Sequence, residues 1–234
     1  MKLAKILAPL YLLLLSAILG LALLTDQTVT ALAKLDTETS DRVIIIDAGH
    51  GGIDGGATSC TGVLESQLNL QIALRLEDLM HLLGMKTQMI RKTDVSIYTE
   101  GSTIAAQKVS DLKQRVRIVN ETEGALLISI HQNTFPDGRY SGAQVFVANN
   151  EESKLLGEKL QANLIRTLNP GSHRKCKQAD GIYLMEHIQR PGILLECGFL
   201  SNIAEEAKLR STDYQQQLCA VIAATISAHW GDGK

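Results

Sequence analysis

Short, continuous apolar runs alternate with longer segments of helical periodicity along most of this chain, and this alternation limits its fold more than any other feature. Residues 43–47 form a run of four β-branched residues followed by Asp47, which is typical of a strand that is buried on both faces. Residues 66–83 place an apolar side chain at about every third or fourth position, which predicts a helix. Because such strands and helices alternate, we predict a single three-layer α/β/α domain with a mostly parallel or mixed central sheet.

The remaining elements follow from the same two patterns. Further strands are predicted at residues 85–90, 125–130, 142–147 and 192–195. Further helices are predicted at residues 110–120, 151–168 and 214–229. Two segments are predicted to be irregular: the polar residues 92–107 and the basic loop 172–177.

The N-terminus has the pattern of an export signal. Lys2 and Lys5 precede residues 6–24, which are 19 residues without a charge, and the small residues Ala31 and Ala33 follow. This pattern fits both a cleaved signal peptide and an N-terminal membrane anchor, and it leaves the choice open. We therefore predict a leader at residues 1–33, a linker at 34–41 and an extracytoplasmic domain, secreted or anchored, at 42–232, with membrane contact only through the leader.

The charge balance and the cysteines exclude several classes of protein. The chain of 234 residues has a net charge of −2, so it lacks the excess of basic residues that a nucleic-acid-binding protein needs. Its four cysteines form no CxxC pair, so a cysteine zinc site is not expected. We expect mostly free thiols, because a core of this size does not need disulfides.

Three of the predicted strands end in residues that can perform chemistry. His50 follows the first strand inside a glycine-rich loop, His131 follows residues 125–130, and Glu196 follows residues 192–195. The carboxyl ends of parallel strands are where α/β proteins place their functional groups. With Glu65 at the end of the glycine-rich loop, the two histidines would complete a zinc site of two imidazoles and one carboxylate.

The same residues allow other interpretations. The glycine-rich segment is equally compatible with a simple turn, and the histidines with structural roles. A phosphate-binding loop is less favoured, because Asp54 stands where a dinucleotide fingerprint needs its third glycine and no Gly-Lys-Ser/Thr follows.

Four ordered motifs resemble those of the zinc-dependent N-acetylmuramoyl-L-alanine amidases. They are Asp47-Ala48-Gly49-His50-Gly51-Gly52, Glu65, Ser129-Ile130-His131-Gln132-Asn133 and Glu196-Cys197-Gly198-Phe199-Leu200-Ser201-Asn202. The resemblance covers about residues 42–230, and additional segments around Asp111-Leu112-Lys113-Gln114-Arg115 and Gly181-Ile182-Tyr183 are similar to the spore-cortex branch of that family.

The resemblance implies a cofactor, a substrate and residue roles. His50, Glu65 and His131 match the Zn²⁺ ligands of the family, and Glu196 matches its catalytic glutamate. The implied substrate is peptidoglycan, cut between N-acetylmuramic acid and L-alanine. In the spore-cortex branch this cleavage is a step towards the muramic-δ-lactam needed for germination, and a partner peptidoglycan deacetylase is expected. Asn133 and Arg115 are candidates for contacts with substrate carbonyls or carboxylates, although a plain loop amide and an exposed helix arginine are equally compatible with the sequence.

Two positions depart from the family pattern, and three alternative functions stay open. Ala48 stands where proline is usual, and Cys197 where valine or threonine is more usual, but neither change removes a catalytic group. The alternatives are a vegetative amidase for cell separation, a zinc peptidase that cuts within the stem peptide, and a wall-binding module without activity.

Overall fold

The computed structural model describes residues 42–231. The strands are β1 (Val43–Ala48), β2 (Thr87–Met89), β3 (Ala125–Asn133), β4 (Gln144–Val147), β5 (Lys177–Gln178) and β6 (Gly192–Phe199). The helices are α1 (Glu65–Leu82), α2 (Ile104–Glu121), α3 (Glu151–Thr167), α4 (Tyr183–His187), α5 (Ile203–Arg210) and α6 (Thr212–Gly231).

The six strands form one mixed sheet in the order β2-β1-β3-β6-β4-β5. The pairs β2–β1, β1–β3 and β3–β6 are parallel, whereas β4 runs antiparallel to β6. The predicted α/β fold with a mixed central sheet is therefore confirmed. The carboxyl ends of β1, β3 and β6 lie side by side at one edge of the sheet, because these three strands are consecutive neighbours.

Helices cover both faces of the sheet, as the continuous apolar strands require. In β1, Ile44 and Ile46 pack with α1, α3 and α6 into one core, and Ile45 faces the other core with α2 and α4. Side chains two residues apart in a strand lie on the same face of the sheet. Asp47 follows Ile45 by two residues and Glu196 follows Leu194 by two residues, so both lie on the face that α2 covers.

The predictions were wrong for the start of helix α2, for the ends of β3 and β6, which continue beyond residues 130 and 195, and for the shortest elements. The other long helices lie within two residues of their predicted bounds. Helix α2 begins at Ile104, inside the segment predicted to be irregular, where Thr103 accepts a hydrogen bond from the amide of Ala106. The predicted basic loop 172–177 ends in a short strand, β5, that pairs with β4. Helices α4 and α5 were not predicted, because they have five and eight residues and show little apolar periodicity.

The predicted leader and linker lie outside the described residues. Within residues 42–231 no helix combines the length and the apolar character needed to cross a bilayer. All four cysteines are free thiols, as expected, and Cys197 and Cys219 are buried.

Candidate active site and metal centre

The candidate site lies at the edge where β1, β3 and β6 end. His131 belongs to β3 and is the direct register partner of Glu196 in β6. His50 lies two residues beyond the end of β1, and Glu65 is the first residue of α1. The fold therefore brings together all four residues that the sequence motifs singled out.

Three of these residues form a tight cluster of potential metal ligands. The Nδ1 atom of His131 lies 3.0 Å from Oε1 of Glu65, and Nε2 of His50 lies 3.3 Å from Oε2 of the same carboxylate. One donor atom from each of the three residues falls within 4.8 Å of the others, and they are the only group of this kind among the described residues. Two imidazoles and one carboxylate match the donor set of catalytic zinc sites, so these residues fit the metal that the sequence resemblance implies.

Hydrogen bonds fix the carboxylate of Glu65 from several sides. It accepts from the backbone amides of Ala57 and Gln132 at 2.9 and 3.1 Å and from the side chain of Asn69 at 3.2 Å. Burial alone would raise the pKa of Glu65, but the hydrogen bonds and charges of His131 and His50 hold that pKa far below its usual range. Glu65 is therefore an anion, as a metal ligand must be.

The environment of His50 was only partly predicted. Its Nδ1 atom lies 2.8 Å from Oδ2 of Asp54, which leaves Nε2 facing Glu65. Burial would lower the pKa of His50, but its bonds to Glu65 and Asp54 raise the pKa to about 9 in this arrangement without metal. Asp54 was not identified from the sequence as the partner of His50. The available signal was its position four residues after His50 in the same short loop.

Glu196 lies at the same edge, and one oxygen of its carboxyl group accepts no hydrogen bond from the described residues. Its Oε2 atom is buried and has no hydrogen-bond partner among the described residues. Burial is the main cause that raises its pKa to about 7, and the nearby carboxylate of Glu65 adds to the rise. A carboxyl group with a pKa near neutrality and a free oxygen is suited to accept and return a proton.

The glycine-rich loop lets its backbone approach the cluster closely. A Cβ atom on Gly49 would collide with the imidazole ring of His131, and one on Gly56 would lie 2.6 Å from Oε2 of Glu65. His50 itself has a positive φ of 61°, which places its ring towards the cluster at some cost in backbone energy.

Two buried arginines hold this loop by its carbonyl groups. Arg91 donates to the carbonyls of Ala48 and Gly49 at 2.8 and 3.1 Å, and Arg115 donates to the carbonyl of His50 at 2.8 Å. Arg91 was missed, because the two loop carbonyls that it binds lie more than 40 residues away in sequence. Its only signal was a charged residue directly after the apolar pair of Met89 and Ile90.

Arg115 is not the exposed helix residue that one interpretation of the sequence allowed. Its side chain is 3% exposed and forms a salt bridge with Asp47, whose other oxygen accepts from Ser129 at 2.7 Å. Its Nε atom donates to Asp111 at 2.6 Å. These contacts give Arg115 a positioning role for the loop, and its predicted contact with substrate stays a prediction. The same holds for Asn133, which ends β3 half-buried, two residues beyond His131.

A cavity of about 360 Å³ opens beside the cluster. Its wall includes His50, His131, Lys108 and Arg115 of α2, and Tyr183 of α4. The cavity gives a substrate access to the imidazoles on the face of the sheet that carries Glu196.

Comparisons with known proteins agree with this site. The family described as N-acetylmuramoyl-L-alanine amidase (Amidase_3) matches residues 44–228. A germination-specific N-acetylmuramoyl-L-alanine amidase of Bacillus subtilis is 39% identical over 189 residues, which are 78% of this chain and 77% of that protein.

Solved structures show the same fold. The CwlD amidase of Clostridioides difficile, solved in complex with the GerS lipoprotein, is 34% identical with a TM-score of 0.77, and the match covers 81% of this chain and 98% of that one. An N-acetylmuramoyl-L-alanine amidase of Clostridium difficile 630 is 27% identical with a TM-score of 0.70, over 81% of this chain and 97% of that one. With a family match over most of its length and a relative 39% identical, this chain belongs to the N-acetylmuramoyl-L-alanine amidase family.

Proposed function

We propose that this chain is a zinc-dependent amidase that cuts between the lactyl carbonyl of N-acetylmuramic acid and the nitrogen of L-alanine in peptidoglycan. His50, Glu65 and His131 would hold the Zn²⁺, and Glu196 would be the catalytic acid and base. The observation that carries the proposal is the cluster of two imidazoles around one buried carboxylate, with the unpaired oxygen of Glu196 at the same strand edge.

Amide hydrolysis needs an activated water and a protonated leaving nitrogen. Glu196 takes a proton from the water through Oε2 as the water oxygen attacks the lactyl carbonyl carbon. It then returns that proton to the alanine nitrogen as the carbon–nitrogen bond breaks. The products are a lactyl carboxylate and a free α-amine on L-alanine, so no other reactant is required.

The other residues keep these groups in place. The carboxylate of Glu65 is fixed by backbone amides, and Asp54 fixes the ring orientation of His50. Arg91 and Arg115 hold the carbonyls of the loop that carries His50. When bound to these ligands, Zn²⁺ would polarise the substrate carbonyl and lower the pKa of a bound water to about 7.

The decisive experiment is mass spectrometry of peptidoglycan fragments after digestion, with and without a zinc chelator. We expect muramic acid with a free lactyl carboxylate, peptides that begin with a free L-alanine, and loss of both products after chelation. Glu196→Gln should lose hydrolysis at least about 1000-fold and keep one equivalent of Zn²⁺. A new carboxylate within the stem peptide would instead identify a peptidase, and wild-type protein that binds wall without cutting it would identify a binding module.

We further propose that the wall in question is spore cortex. The support is the germination-specific amidase of Bacillus subtilis, at 39% identity. Removal of the stem leaves a lactyl carboxylate on the muramic acid, and this group closes to a δ-lactam only after a deacetylase has freed the 2-amino group. We therefore expect a deacetylase to act with this enzyme. Deletion of the gene should remove muramic-δ-lactam from cortex, whereas a vegetative role in cell separation predicts chains of unseparated cells and normal cortex.

An extracytoplasmic location follows from the same substrate, because peptidoglycan lies outside the cytoplasmic membrane. The predicted leader would supply the export signal. The structure of the Clostridioides difficile enzyme with a lipoprotein suggests that a lipoprotein binds this chain as well, and co-purification from sporulating cells would test this.

A further inference from the structure

A second, larger cavity of about 1080 Å³ lies next to Gln144, the first residue of β4. Three segments form its wall: the stretch that leads into β4, the loop between α3 and β5, and the start of α5. It is separate from the cavity that contains the two imidazoles, and none of the four proposed zinc and catalytic residues lines it.

The walls of this cavity are strongly basic. Lys175, Lys177, Arg174 and Lys208 line it together with His173, and none of them forms a salt bridge with a described residue. The only acidic side chain in the wall is Glu205. Its side chain is buried, its Oε2 atom accepts from the backbone amide of Gly142 at 2.6 Å, and it forms no salt bridge with these cations.

Arg174 is held in a fixed orientation inside this basic wall. Its guanidinium carbon lies 4.8 Å from the centre of the Phe199 ring, and its Nε atom donates to the carbonyl of Ser141 at 3.0 Å. Its Nη1 atom also donates to Oε1 of Gln144 at 3.4 Å, so Nη2 is the guanidinium nitrogen that has no hydrogen-bond partner among the described residues and can donate to a carboxylate.

The cavity begins one strand away from the proposed catalytic glutamate. Gln144, which lines the cavity, is the direct register partner of Glu196, and Phe199 under Arg174 lies three residues further along β6. Neighbouring strands are about 4.8 Å apart, and an extended peptide advances about 3.3 Å per residue. By this spacing, a peptide whose first residue lies beside Glu196 is long enough to span the distance to this cavity with its second or third residue.

We infer that this basic cavity binds the carboxylates of the stem peptide on the amine side of the scissile bond. The inference rests on the proposed function, because it takes the cleaved nitrogen to be that of L-alanine. Stem peptides carry an acidic residue and end in a free carboxylate, which are the groups that unpaired lysines and a fixed guanidinium bind best. The cavity thus selects substrates with charged rather than amidated stems.

The test is calorimetric binding of a synthetic N-acetylmuramoyl pentapeptide to the full-length Glu196→Gln protein, which binds without turnover. The peptide is used in two forms, with free carboxylates and with carboxamides. In this background, Lys175→Gln with Lys208→Gln removes two charges from the cavity, and Lys113→Gln with Lys154→Gln removes two charges from exposed positions outside it. The cavity pair should weaken binding of the acidic peptide about three- to tenfold at low salt and leave the amidated peptide unchanged, and the control pair should change neither.

Three results would overturn the inference. The first is equal weakening of peptide binding by both pairs of substitutions, and the second is equal affinity for both forms of the peptide. The third is tighter binding of a poly(glycerol phosphate) oligomer than of the acidic peptide, which would assign the cavity to an anionic wall polymer. A separate result would contradict the proposed function. In that case the wild-type protein would release no L-alanyl peptide from peptidoglycan, whatever the binding measurements show.

Discussion

At the scale of single residues, the site depends on glycines that leave room for the proposed ligands as much as on the ligands themselves. The ring of His131 lies so close to Gly49 that any β-carbon there would overlap it, and a β-carbon on Gly56 would lie 2.6 Å from Oε2 of Glu65. The sequence motif shows that small residues occur here, but it does not show which of them faces a ligand. That information comes from the register of β1 against β3, which places Ala48 beside Ile130 and so Gly49 beside His131.

We predict that Gly49→Ala weakens zinc binding about 10- to 100-fold, because the new methyl group displaces the His131 ring from Glu65. Competition against a chromophoric chelator measures the affinity. Gly62→Ala is the matched control: it lies in the same loop with nothing within 4 Å of the added carbon, so its only cost is backbone strain at a φ of 92°. Equal affinities for Gly49→Ala and wild type would show that the ring is free to move and is not set by Gly49.

The salt bridge between Arg115 and Asp47 carries a second prediction at this scale. Arg115→Met leaves the carboxylate of Asp47 buried with Ser129 as its remaining side-chain partner, so the free energy of unfolding should fall by about 3 kcal/mol. Denaturant titration measures this change. Arg117→Met, two residues along α2, removes an exposed arginine whose contact with Glu121 is 3.8 Å long and should change stability by less than about 0.5 kcal/mol. Similar losses in both variants would show that the buried pair contributes no more than an exposed one.

At the scale of elements, the long strands and helices could be predicted because their apolar patterns repeat over several turns or residues. Helix α2 was placed too late, since Ile104 and Val109 in its first turns are exposed and give no buried stripe. The start is set instead by the Thr103 cap, a single local hydrogen bond. Elements as short as β5 depend on a neighbouring strand, and their sequences carry too little pattern to predict them.

The contact between α3 and β4 gives a prediction in which packing opposes helix propensity. Gly157 lies in the middle of α3, where alanine would normally stabilise a helix by about 1 kcal/mol. A β-carbon there would overlap the Val147 side chain and lie 2.8 Å from Sγ of Cys176. Such overpacking costs about 1–3 kcal/mol, so we expect Gly157→Ala to lower the free energy of unfolding by about 1 kcal/mol.

The exposed residue Ala162 on the same helix provides the comparison. Ala162→Gly should also destabilise, by about 1 kcal/mol, because only propensity acts there. Alanine is thus expected to be the better residue at position 162 and the worse one at position 157. If Gly157→Ala raises the midpoint of thermal unfolding, α3 does not pack as closely on β4 as the structure shows.

At the scale of the whole molecule, the proposed zinc ligands connect parts of the chain that fold as separate elements. His50 lies in the loop after β1, Glu65 begins α1, and His131 lies near the carboxyl end of β3. A ligand that binds only when these three elements are in place binds the folded state and not the unfolded chain, so it stabilises the fold by mass action. Zinc should therefore be a measurable part of the stability of the entire domain.

Free Zn²⁺ at about 100 times its dissociation constant should add about 2.7 kcal/mol, which for a domain of this size raises the unfolding midpoint by roughly 5–10 °C. Differential scanning fluorimetry with buffered Zn²⁺ measures the shift, and a chelator should reverse it. His131→Ala should abolish the shift, whereas His173→Ala, an exposed histidine on the loop before β5, should retain it. A shift of equal size in His131→Ala would mean that zinc binds outside the proposed site. This conclusion would need no measurement of activity.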